Sequence, residues 1–297
     1  MLTVFTPTYN RAYILPRLYE SLLKQTDKNF EWVIVNDGST DNTKKIIEEW
    51  IEKDKIVIRY YEQENQGKPV AHNKGVEKAK GEIFTCVDSD DFLVDNAVEI
   101  INSKWDECKS NNMCIGIVGT RIGLDGKPVG TGMPLNIKNS TLRNLYNKYK
   151  YKGDTILVYR TETLKKYKFP KIKGEKFIPE TYLYNMLDQE GELAVIKDGI
   201  YVCEYLEDGY THNSIKLISN NPKGYILVAE QEYGLAKSLR EKMKAATKVM
   251  LGNKLAKNRG DMVKKKSGIW FILANPLAKI IYNKRYKKIL KERMFSK

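Results

Sequence analysis

The sequence predicts an α/β fold with a mainly parallel central sheet flanked by helices and followed by a basic helical extension. Four short apolar runs in the first 90 residues alternate with segments of helical spacing, which is typical of βαβ units. From about Lys223 the pattern is helical to the end of the chain. With 297 residues, of which 42% are hydrophobic, the chain can bury one large core and carry an appendage.

Strands and helices alternate through the first half of the chain. The strands are predicted from short apolar runs at 2–6, 30–35, 56–61 and 83–87. The helices between and after them are predicted at 11–24, 40–50, 68–80 and 96–108. The less regular half that follows has predicted strands at 115–118, 155–159 and 199–206, and a helix at 180–187 after Pro179.

Positive charge is concentrated at one end of the chain. Residues 237–297 contain 19 Lys and Arg against 3 Asp and Glu, a net charge of +16, whereas the whole chain has a formal charge of +14. The first 236 residues therefore carry a net charge of −2. This distribution argues against a nucleic-acid-binding protein. We expect a main domain at 1–222 and a basic extension at 223–297.

The sequence does not suggest export or membrane spanning. The four cysteines lack CxxC spacing and are expected to be reduced thiols, Cys86 being a small core residue. Residues 1–5 have no basic n-region, so we expect no signal peptide. No apolar run reaches the roughly 18 residues that a membrane span needs. We therefore expect a cytoplasmic protein.

Acidic residues are clustered directly after the fourth predicted strand. The apolar run 83–87 is followed by Asp88-Ser89-Asp90-Asp91, three carboxylates within four residues. Carboxylates held this close repel one another unless a cation lies between them, and oxygen ligands suit Mg²⁺ or Mn²⁺. A turn with a helix cap is the alternative, because Asp is common in both.

Two other predicted strands also end in polar segments. The first strand is followed by Tyr9-Asn10-Arg11, and the second by Asn36-Asp37-Gly38-Ser39. The carboxyl ends of parallel strands lie along one edge of a sheet, where ligands bind. This edge would offer an aromatic ring, a hydrogen-bonding carboxylate and a metal-binding cluster. Such a combination suits a nucleotide diphosphate.

The ordered motifs of the first 100 residues resemble the inverting glycosyltransferases of family 2, including those of bacterial cell-surface polysaccharide synthesis. The motifs are Pro7-Thr8-Tyr9-Asn10-Arg11, Asn36-Asp37-Gly38-Ser39-Thr40-Asp41, Asn65-Gln66-Gly67, Asn73-Lys74-Gly75 and Asp88-Ser89-Asp90-Asp91. The resemblance implies a GT-A, Rossmann-like fold, with nucleotide-sugar binding in 1–110 and an acceptor side in 111–222.

The resemblance also implies roles for individual residues. Pro7 and Tyr9 flank the nucleobase, and Asp37 hydrogen-bonds the base, usually uracil. Asp88 lies near the ribose, and Asp90 of the DXD motif binds the divalent cation, Mn²⁺ or Mg²⁺, on the diphosphate. The other residues implied to bind the nucleotide-sugar are Arg11, Lys68, Asn73 and Ser89.

One position departs from the family pattern. Relatives often have Arg before the Asn of the third predicted helix, whereas this chain has His72 before Asn73. We expect His72, or Lys68 in its place, to help hold the nucleotide. The alternative for His72 is an ordinary surface residue of the helix.

The catalytic base is expected in the less regular half. Inverting transfer needs a carboxylate beside the acceptor hydroxyl to take its proton. Family members have an acidic residue at the start of a helix after the acceptor loop. Glu180 fits that position, with Glu175 and Asp188 as alternatives. The resemblance further implies His212 as a metal ligand, with a loop histidine that binds no metal as the alternative.

Two interpretations are open for the basic extension. The apolar run 269–273 is followed by Asn275-Pro276, which we expect to interrupt it. A predicted helical face edged by lysines contains Ala278, Tyr282, Tyr286, Ile289 and Leu290. This pattern is typical of a helix on an anionic membrane surface, and equally of a basic helix packed on the domain through that face. RNA binding is disfavoured because no known module is present.

The sequence thus predicts a metal-dependent glycosyltransferase that moves a sugar from a nucleotide-sugar, expected to be a UDP-sugar, to a glycan or lipid-linked acceptor. We expect it to be peripheral on the inner face of the cell membrane. A nucleotidyltransferase would need a Gly-rich basic loop after the first strand, which Tyr9-Asn10-Arg11 is not. The remaining alternative is a catalytically silent module that binds a nucleotide-sugar or a membrane.

Overall fold

The computed structural model describes residues 1–204, 213–262 and 267–287. Within these residues a nine-stranded sheet is flanked by helices. Its strands are β1 (Leu2–Thr8), β2 (Phe30–Asn36), β3 (Ile58–Glu62), β4 (Ile83–Cys86), β5 (Phe92–Leu93), β6 (Cys114–Ile122), β7 (Asn139–Ser140), β8 (Thr155–Arg160) and β9 (Glu192–Val202).

The sheet has a parallel half and a mixed half. Its strand order is β3-β2-β1-β4-β8-β6-β9-β5, with β7 also paired to β9. Strands β1 to β4 are parallel, as predicted. Strand β8 runs antiparallel to both β4 and β6, so β6 returns to the direction of β1 to β4. The ends of β2, β1 and β4 that precede the polar loops therefore lie side by side.

The predicted helices of the first half are present with slightly different bounds. The helices are α1 (Leu15–Leu23), α2 (Thr43–Lys53), α3 (Lys68–Lys78), α4 (Ala97–Cys108), α5 (Leu142–Asn147), α6 (Thr161–Lys165), α7 (Thr181–Leu187), α8 (Ser214–Asn220), α9 (Pro222–Gly234), α10 (Leu239–Asn258) and α11 (Ile269–Ile281). A π-helical turn, Tyr282–Tyr286, follows α11. Proline in the first turn of α1 and α3 needs no helical hydrogen-bond acceptor there, which favours both starts.

Stacked aromatic rings fix α1 and α2 on one face of the sheet. Tyr19 of α1 stacks on Trp50 of α2 with ring centroids 4.3 Å apart, and Trp32 of β2 lies 5.9 Å from Trp50. Such pairs contribute about 0.5–1.5 kcal/mol beyond the area that they bury. Every residue of β1 and β2 is buried, as expected for central strands covered on both faces.

Packing divides the chain into two compact units. The first comprises residues 1–169 and 186–204 and holds the whole sheet. The second comprises residues 170–185 and 205–297, and its described part is helical apart from its loops. The domain boundary expected after residue 222 stays a prediction.

Helix α11 packs on α10 through one face. Ala278 and Tyr286 are buried with Leu251 and Leu255 of α10. The described part of the face that we considered for membrane contact is therefore packed inside the second unit. Ile289 and Leu290 lie outside the described residues.

The other side of α11 is apolar and exposed. Five apolar side chains are between 44% and 67% exposed: Ile269, Ile272, Leu273, Leu277 and Ile280. Asn275-Pro276 interrupts the apolar run, as expected, but not the helix, since α11 continues through Pro276. Across the described ranges, no helix is both long enough and apolar enough to cross a membrane.

Candidate active site

The loops after β1 and β2 are joined by hydrogen bonds at the carboxyl edge of the sheet. The backbone N–H of Asn10 donates to Ser39 Oγ (2.9 Å), and the N–H of Thr40 donates to Asn10 Oδ1 (2.8 Å). Asn10 has φ = 53°, a left-handed conformation that Asn tolerates better than most residues. The structure thus brings two of the three predicted loops into direct contact.

Two cations face the carboxylate cluster after β4. Asp88 Oδ1 lies 2.5 Å from Lys68 Nζ at the start of α3, and Asp90 Oδ2 lies 3.9 Å from a guanidinium nitrogen of Arg11. Burial raises the pKa of Asp90 and the Asp88 carboxylate raises it further, while Arg11 opposes the rise. A carboxylate disfavoured by burial and by a like charge is stabilised in its charged form by added positive charge. Lys68 and Arg11 supply such positive charge beside the cluster.

Asp91 contacts two residues that the sequence analysis missed, Tyr201 and Arg121. The Tyr201 hydroxyl donates to Asp91 Oδ2 (2.7 Å) and accepts from the N–H of Asp88 (3.1 Å). Arg121 lies 3.5 Å from the same Asp91 oxygen and 4.1 Å above the Tyr201 ring. Burial, and then the Asp88 charge, raise the pKa of Asp91 to about 7. Tyr201 is completely buried, so this support is rigid.

Asp37 organises the loop that leads into α3. Its carboxylate accepts hydrogen bonds from the Gln63 side chain (2.8 Å) and from the N–H groups of Gln66 (2.8 Å) and Gly67 (2.7 Å). Gly38 beside it has φ = 78°, and a Cβ there would come within 2.9 Å of the Asn65 nitrogen. The motif around Asn65 is thus packed against the end of β2. A carboxylate has about four acceptor positions, so Asp37 retains capacity for one more donor.

The residues implied to flank the base and ribose differ in exposure. Pro7 is buried within β1, whereas Tyr9, just after the strand, is 46% exposed. Ser89 is buried beside Asp88. An exposed aromatic ring at this edge can stack on a planar ligand.

Asn73 and His72 contact residues of the protein interior and of the segment around Phe169. Asn73 Nδ2 donates to the Phe169 carbonyl (2.8 Å), and Asn73 Oδ1 accepts from the Phe169 N–H (2.9 Å). His72 is 9% exposed and meets the edges of Phe5, Phe84 and Phe169. The alternative of a surface residue is therefore wrong for His72. Lys68, the other residue considered in place of the family's Arg, is paired with Asp88 of the cluster.

Glu180 stands at the start of α7, as predicted. Its carbonyl accepts from the N–H groups of Leu183 (3.0 Å) and Tyr184 (3.2 Å), and its carboxylate accepts from the Tyr184 hydroxyl (3.2 Å). The side chain is partly exposed. The N–H groups of this first turn favour an ionised carboxylate.

The two alternative bases are bound to helix starts. Glu175 accepts from the N–H groups of Lys223 and Gly224 (2.9 and 2.8 Å) at the start of α9. Asp188 accepts from the N–H groups of Leu142 and Arg143 (2.8 and 2.6 Å) at the start of α5. These contacts account for both carboxylates as helix caps, and Glu180 as the base stays a prediction.

Few side chains that could bind a cation are grouped together in the described part of the chain. No group of three His, Cys, Asp or Glu side chains there is arranged to hold a metal ion. Asp88 and Asp90 would supply hard oxygen ligands, which fit Mg²⁺ or Mn²⁺, and a cation would offset the burial and the Asp88 charge that raise the pKa of Asp90. His212 lies outside the described residues.

Solved structures of known proteins share this fold. TarS 1–349 of S. aureus superposes with a TM-score of 0.61 at 21% identity, covering 95% of this chain and 91% of that one. The Pyrobaculum calidifontis mannosyltransferase PcManGT, solved with GDP-Man and Mn²⁺, gives 0.55 at 16% identity, covering 98% and 83%. The expected GT-A fold is thereby confirmed.

Sequence relatives are also glycosyltransferases. Glycosyltransferase GlyG of Streptococcus pneumoniae is 29% identical over 211 residues, 68% of this chain and 70% of its own. A glycosyltransferase of Haemophilus influenzae is 32% identical over 177 residues, 60% of this chain and 69% of its own. The sequence model of "Glycosyl transferase family 2" matches residues 3–168, more than half of the chain. The chain is a glycosyltransferase enzyme and belongs to glycosyl transferase family 2.

Proposed function

We propose that this enzyme is a metal-dependent, inverting glycosyltransferase that uses a UDP-sugar donor. The observation that carries the proposal is the pairing of Asp88 with Lys68 and of Asp90 with Arg11 at the carboxyl edge of a family 2 domain. This arrangement combines oxygen ligands for a cation with positive charge for a diphosphate. TarS of S. aureus has been solved with UDP and with UDP-GlcNAc, which supports a uridine donor.

The proposed mechanism assigns donor binding to the edge residues. Tyr9 stacks on the nucleobase and separates the base from solvent. Asp37 accepts a hydrogen bond from the base. Asp90, with Asp88 beside it and His212 as a further candidate ligand, would hold the divalent cation. When bound, the cation neutralises charge on the leaving diphosphate. Lys68 and Arg11 add positive charge near the same group.

Glu180 acts as the general base. Its carboxylate takes the proton of the acceptor hydroxyl while that oxygen attacks the anomeric carbon. The bond from this carbon to the diphosphate oxygen breaks on the opposite face, and its electron pair leaves with the nucleoside diphosphate. The configuration is therefore inverted, and no sugar becomes attached to the protein.

A donor-hydrolysis screen tests the nucleotide and the metal together. The intact chain is offered UDP-, GDP- and dTDP-sugars with Mn²⁺ or Mg²⁺, and free nucleoside diphosphate is measured. We expect release from a UDP-sugar that is lost with EDTA and in Asp90→Ala, but retained in Asp125→Ala, an exposed turn residue. Full turnover by metal-loaded Asp90→Ala would refute the assignment. UDP binding without turnover, even with acceptor, would favour the catalytically silent alternative.

The base is tested by a variant that keeps its shape. Glu180→Gln should bind UDP as the wild type does but transfer sugar at least about a hundredfold more slowly, because it cannot take a proton. UDP affinity by calorimetry and transfer by product formation separate these effects. Wild-type transfer by Glu180→Gln would return Glu175 and Asp188 to consideration.

We further propose that the acceptor is a lipid-linked glycan and that the enzyme acts at an anionic membrane surface. A Campylobacter jejuni enzyme named GalNAc(5)-diNAcBac-PP-undecaprenol beta-1,3-glucosyltransferase is 33% identical over 108 residues, 36% of this chain and 35% of its own. The name of that enzyme gives a lipid-linked glycan as its acceptor. The exposed apolar side of α11, together with exposed Lys279, Lys284, Arg285 and Lys287, suits an anionic lipid surface.

A further inference from the structure

We propose that Cys108 and Cys114 form a reversible disulfide that joins α4 to β6. Cys108 is the last residue of α4 and Cys114 is the first of β6. Both are free thiols in the structure, and their Sγ atoms lie 2.9 Å apart, inside the contact distance of two unbonded sulfur atoms. The thiols therefore meet without any change in the path of the backbone, which is the main requirement for a disulfide.

The turn between the two cysteines holds them in place. The N–H of Asn111 donates to the Cys108 carbonyl (3.0 Å), and the N–H of Cys114 donates to the Asn111 carbonyl (2.9 Å). The Asn111 side chain accepts from the N–H of Met113 (2.9 Å). These bonds define a compact turn of five residues. Closing a disulfide across it costs little additional ordering.

The surroundings favour ionisation of one thiol of the pair. The hydrogen bond with Cys108 lowers the pKa of Cys114 to about 6 against the opposing effect of burial, and the pKa of Cys108 rises in turn. The Arg160 guanidinium lies 4.6 Å above the Trp105 ring and donates to the Lys109 carbonyl (3.0 Å), so a cation is fixed in this corner. Thiolates near a cation are the reactive form of cysteine.

Exposure decides the order of the two steps. Cys108 is partly exposed and Cys114 is buried, so a low-molecular-weight disulfide such as glutathione disulfide reaches Cys108 first. Cys108 gives up its proton as its Sγ attacks one sulfur of glutathione disulfide. The S–S bond breaks, Cys108 keeps one glutathionyl group, and the first glutathione leaves as a thiol. The Cys114 thiolate then attacks Cys108 Sγ and displaces the second glutathione. Two protein thiols are oxidised, one glutathione disulfide is reduced, and the two protons pass to the departing glutathiones.

The position in the sheet separates this pair from the candidate active site. Strand β6 runs in the same direction as β4, and Cys114 begins it. The carboxylate cluster follows the opposite end of β4. We therefore expect the disulfide to link α4 to β6 and to leave donor binding unchanged.

Peptide mapping tests the disulfide directly. The intact chain is treated with glutathione disulfide, alkylated and digested with trypsin, and we expect peptides 105–109 and 110–121 to be recovered as one linked species that dithiothreitol separates. Cys114→Ser should instead carry one glutathione on Cys108. Cys86→Ser and Cys203→Ser should leave the linked species intact.

Other outcomes would overturn the proposal. Wild-type protein that carries separate glutathione adducts on both cysteines, or that yields only unlinked peptides 105–109 and 110–121, has no such disulfide.

One outcome would support both the pairing and its distance from the ligand site. In it, the linked species forms equally well in Cys86→Ser and in the wild type, and the UDP affinity is the same before and after oxidation.

Discussion

Tyr201 is the residue that connects the carboxylate cluster to the later half of the sheet. Its single hydroxyl is shared between the Asp91 carboxylate and the Asp88 N–H, so one oxygen orients both ends of the motif. The four-residue cluster itself could be predicted, because three Asp side chains follow an apolar run within a local window. Its supports could not, since Tyr201 lies 110 residues beyond Asp91 and meets it only through the strand order.

Replacement of this hydroxyl should impair the site without unfolding the protein. Tyr201→Phe keeps the ring but removes the donor to a buried carboxylate, a loss of about 1–3 kcal/mol. If the orientation of Asp88 and Asp90 contributes fully to turnover, this corresponds to a fall in kcat/KM of about fivefold to 150-fold. Steady-state donor turnover measures it.

A second tyrosine provides the control for this prediction. The Tyr146 hydroxyl donates to the Gly153 carbonyl, a bond that involves no aspartate of the cluster. Tyr146→Phe should therefore change kcat/KM by less than about twofold. Equal losses in the two variants would show that the effect is general to hydroxyl removal.

At the scale of elements, length decided what the sequence could predict. The helices α1 to α4 and the strands β1 to β4 have enough residues for a recognisable pattern, and all were predicted. Strands β5 and β7 have two residues each, and α5 and α6 have six and five. Such segments are shorter than the window over which periodicity is read. They form because longer neighbouring strands and helices hold them.

The exposed side of α11 gives a prediction at this scale. The wild-type chain should float with vesicles that contain anionic phospholipid, and the bound fraction should fall as salt is raised. The double variant Ile272→Asp and Leu277→Asp should lower binding at least about tenfold. Each replacement removes apolar burial, worth about 1.5–3 kcal/mol per side chain, and adds repulsion from the lipid charge.

A matched pair of apolar surface residues controls for the added charge. Leu124 and Leu135 are exposed at positions outside α11. Leu124→Asp with Leu135→Asp changes the net charge equally and should leave flotation unchanged. Absence of wild-type binding to anionic vesicles, or equal losses in the two double variants, would contradict a membrane role for α11.

At the scale of the whole molecule, a buried glutamate joins the parallel half of the sheet. Glu31 of β2 accepts from Thr3 Oγ1 of β1 (2.7 Å), from Arg59 Nη1 of β3 (3.1 Å) and from the N–H of Lys80 after α3 (2.6 Å). Burial raises its pKa, but these hydrogen bonds and the Arg59 charge outweigh burial and lower it overall. The parallel order of β1 to β4 could be predicted from the alternation of elements. The antiparallel β8 could not, because strand direction beyond β4 leaves no local pattern.

Glu31 should make stability depend on acid pH. An acid whose folded pKa is lowered stabilises the fold fully above its ordinary value, ~4.3, and loses this contribution as pH falls through the folded pKa. Glu31→Gln should therefore cost about 1–3 kcal/mol of unfolding free energy at pH 7, and the difference from wild type should shrink below about pH 4. Urea unfolding at several pH values measures it. Glu52→Gln, at an exposed site on α2, should show no such pH-dependent difference.

In the proposed membrane-bound state, Pro276 would limit how far α11 enters a lipid layer. Proline has no N–H, so the carbonyl of Ile272 lacks the donor that a regular helix would supply from position 276. In hydrocarbon an unsatisfied carbonyl costs several kcal/mol, whereas among lipid headgroups water can donate to it. The helix would therefore stop at the depth where water still reaches this carbonyl. Binding at so shallow a depth would keep the proposed membrane association reversible, and one molecule could then move between acceptors on different patches of membrane.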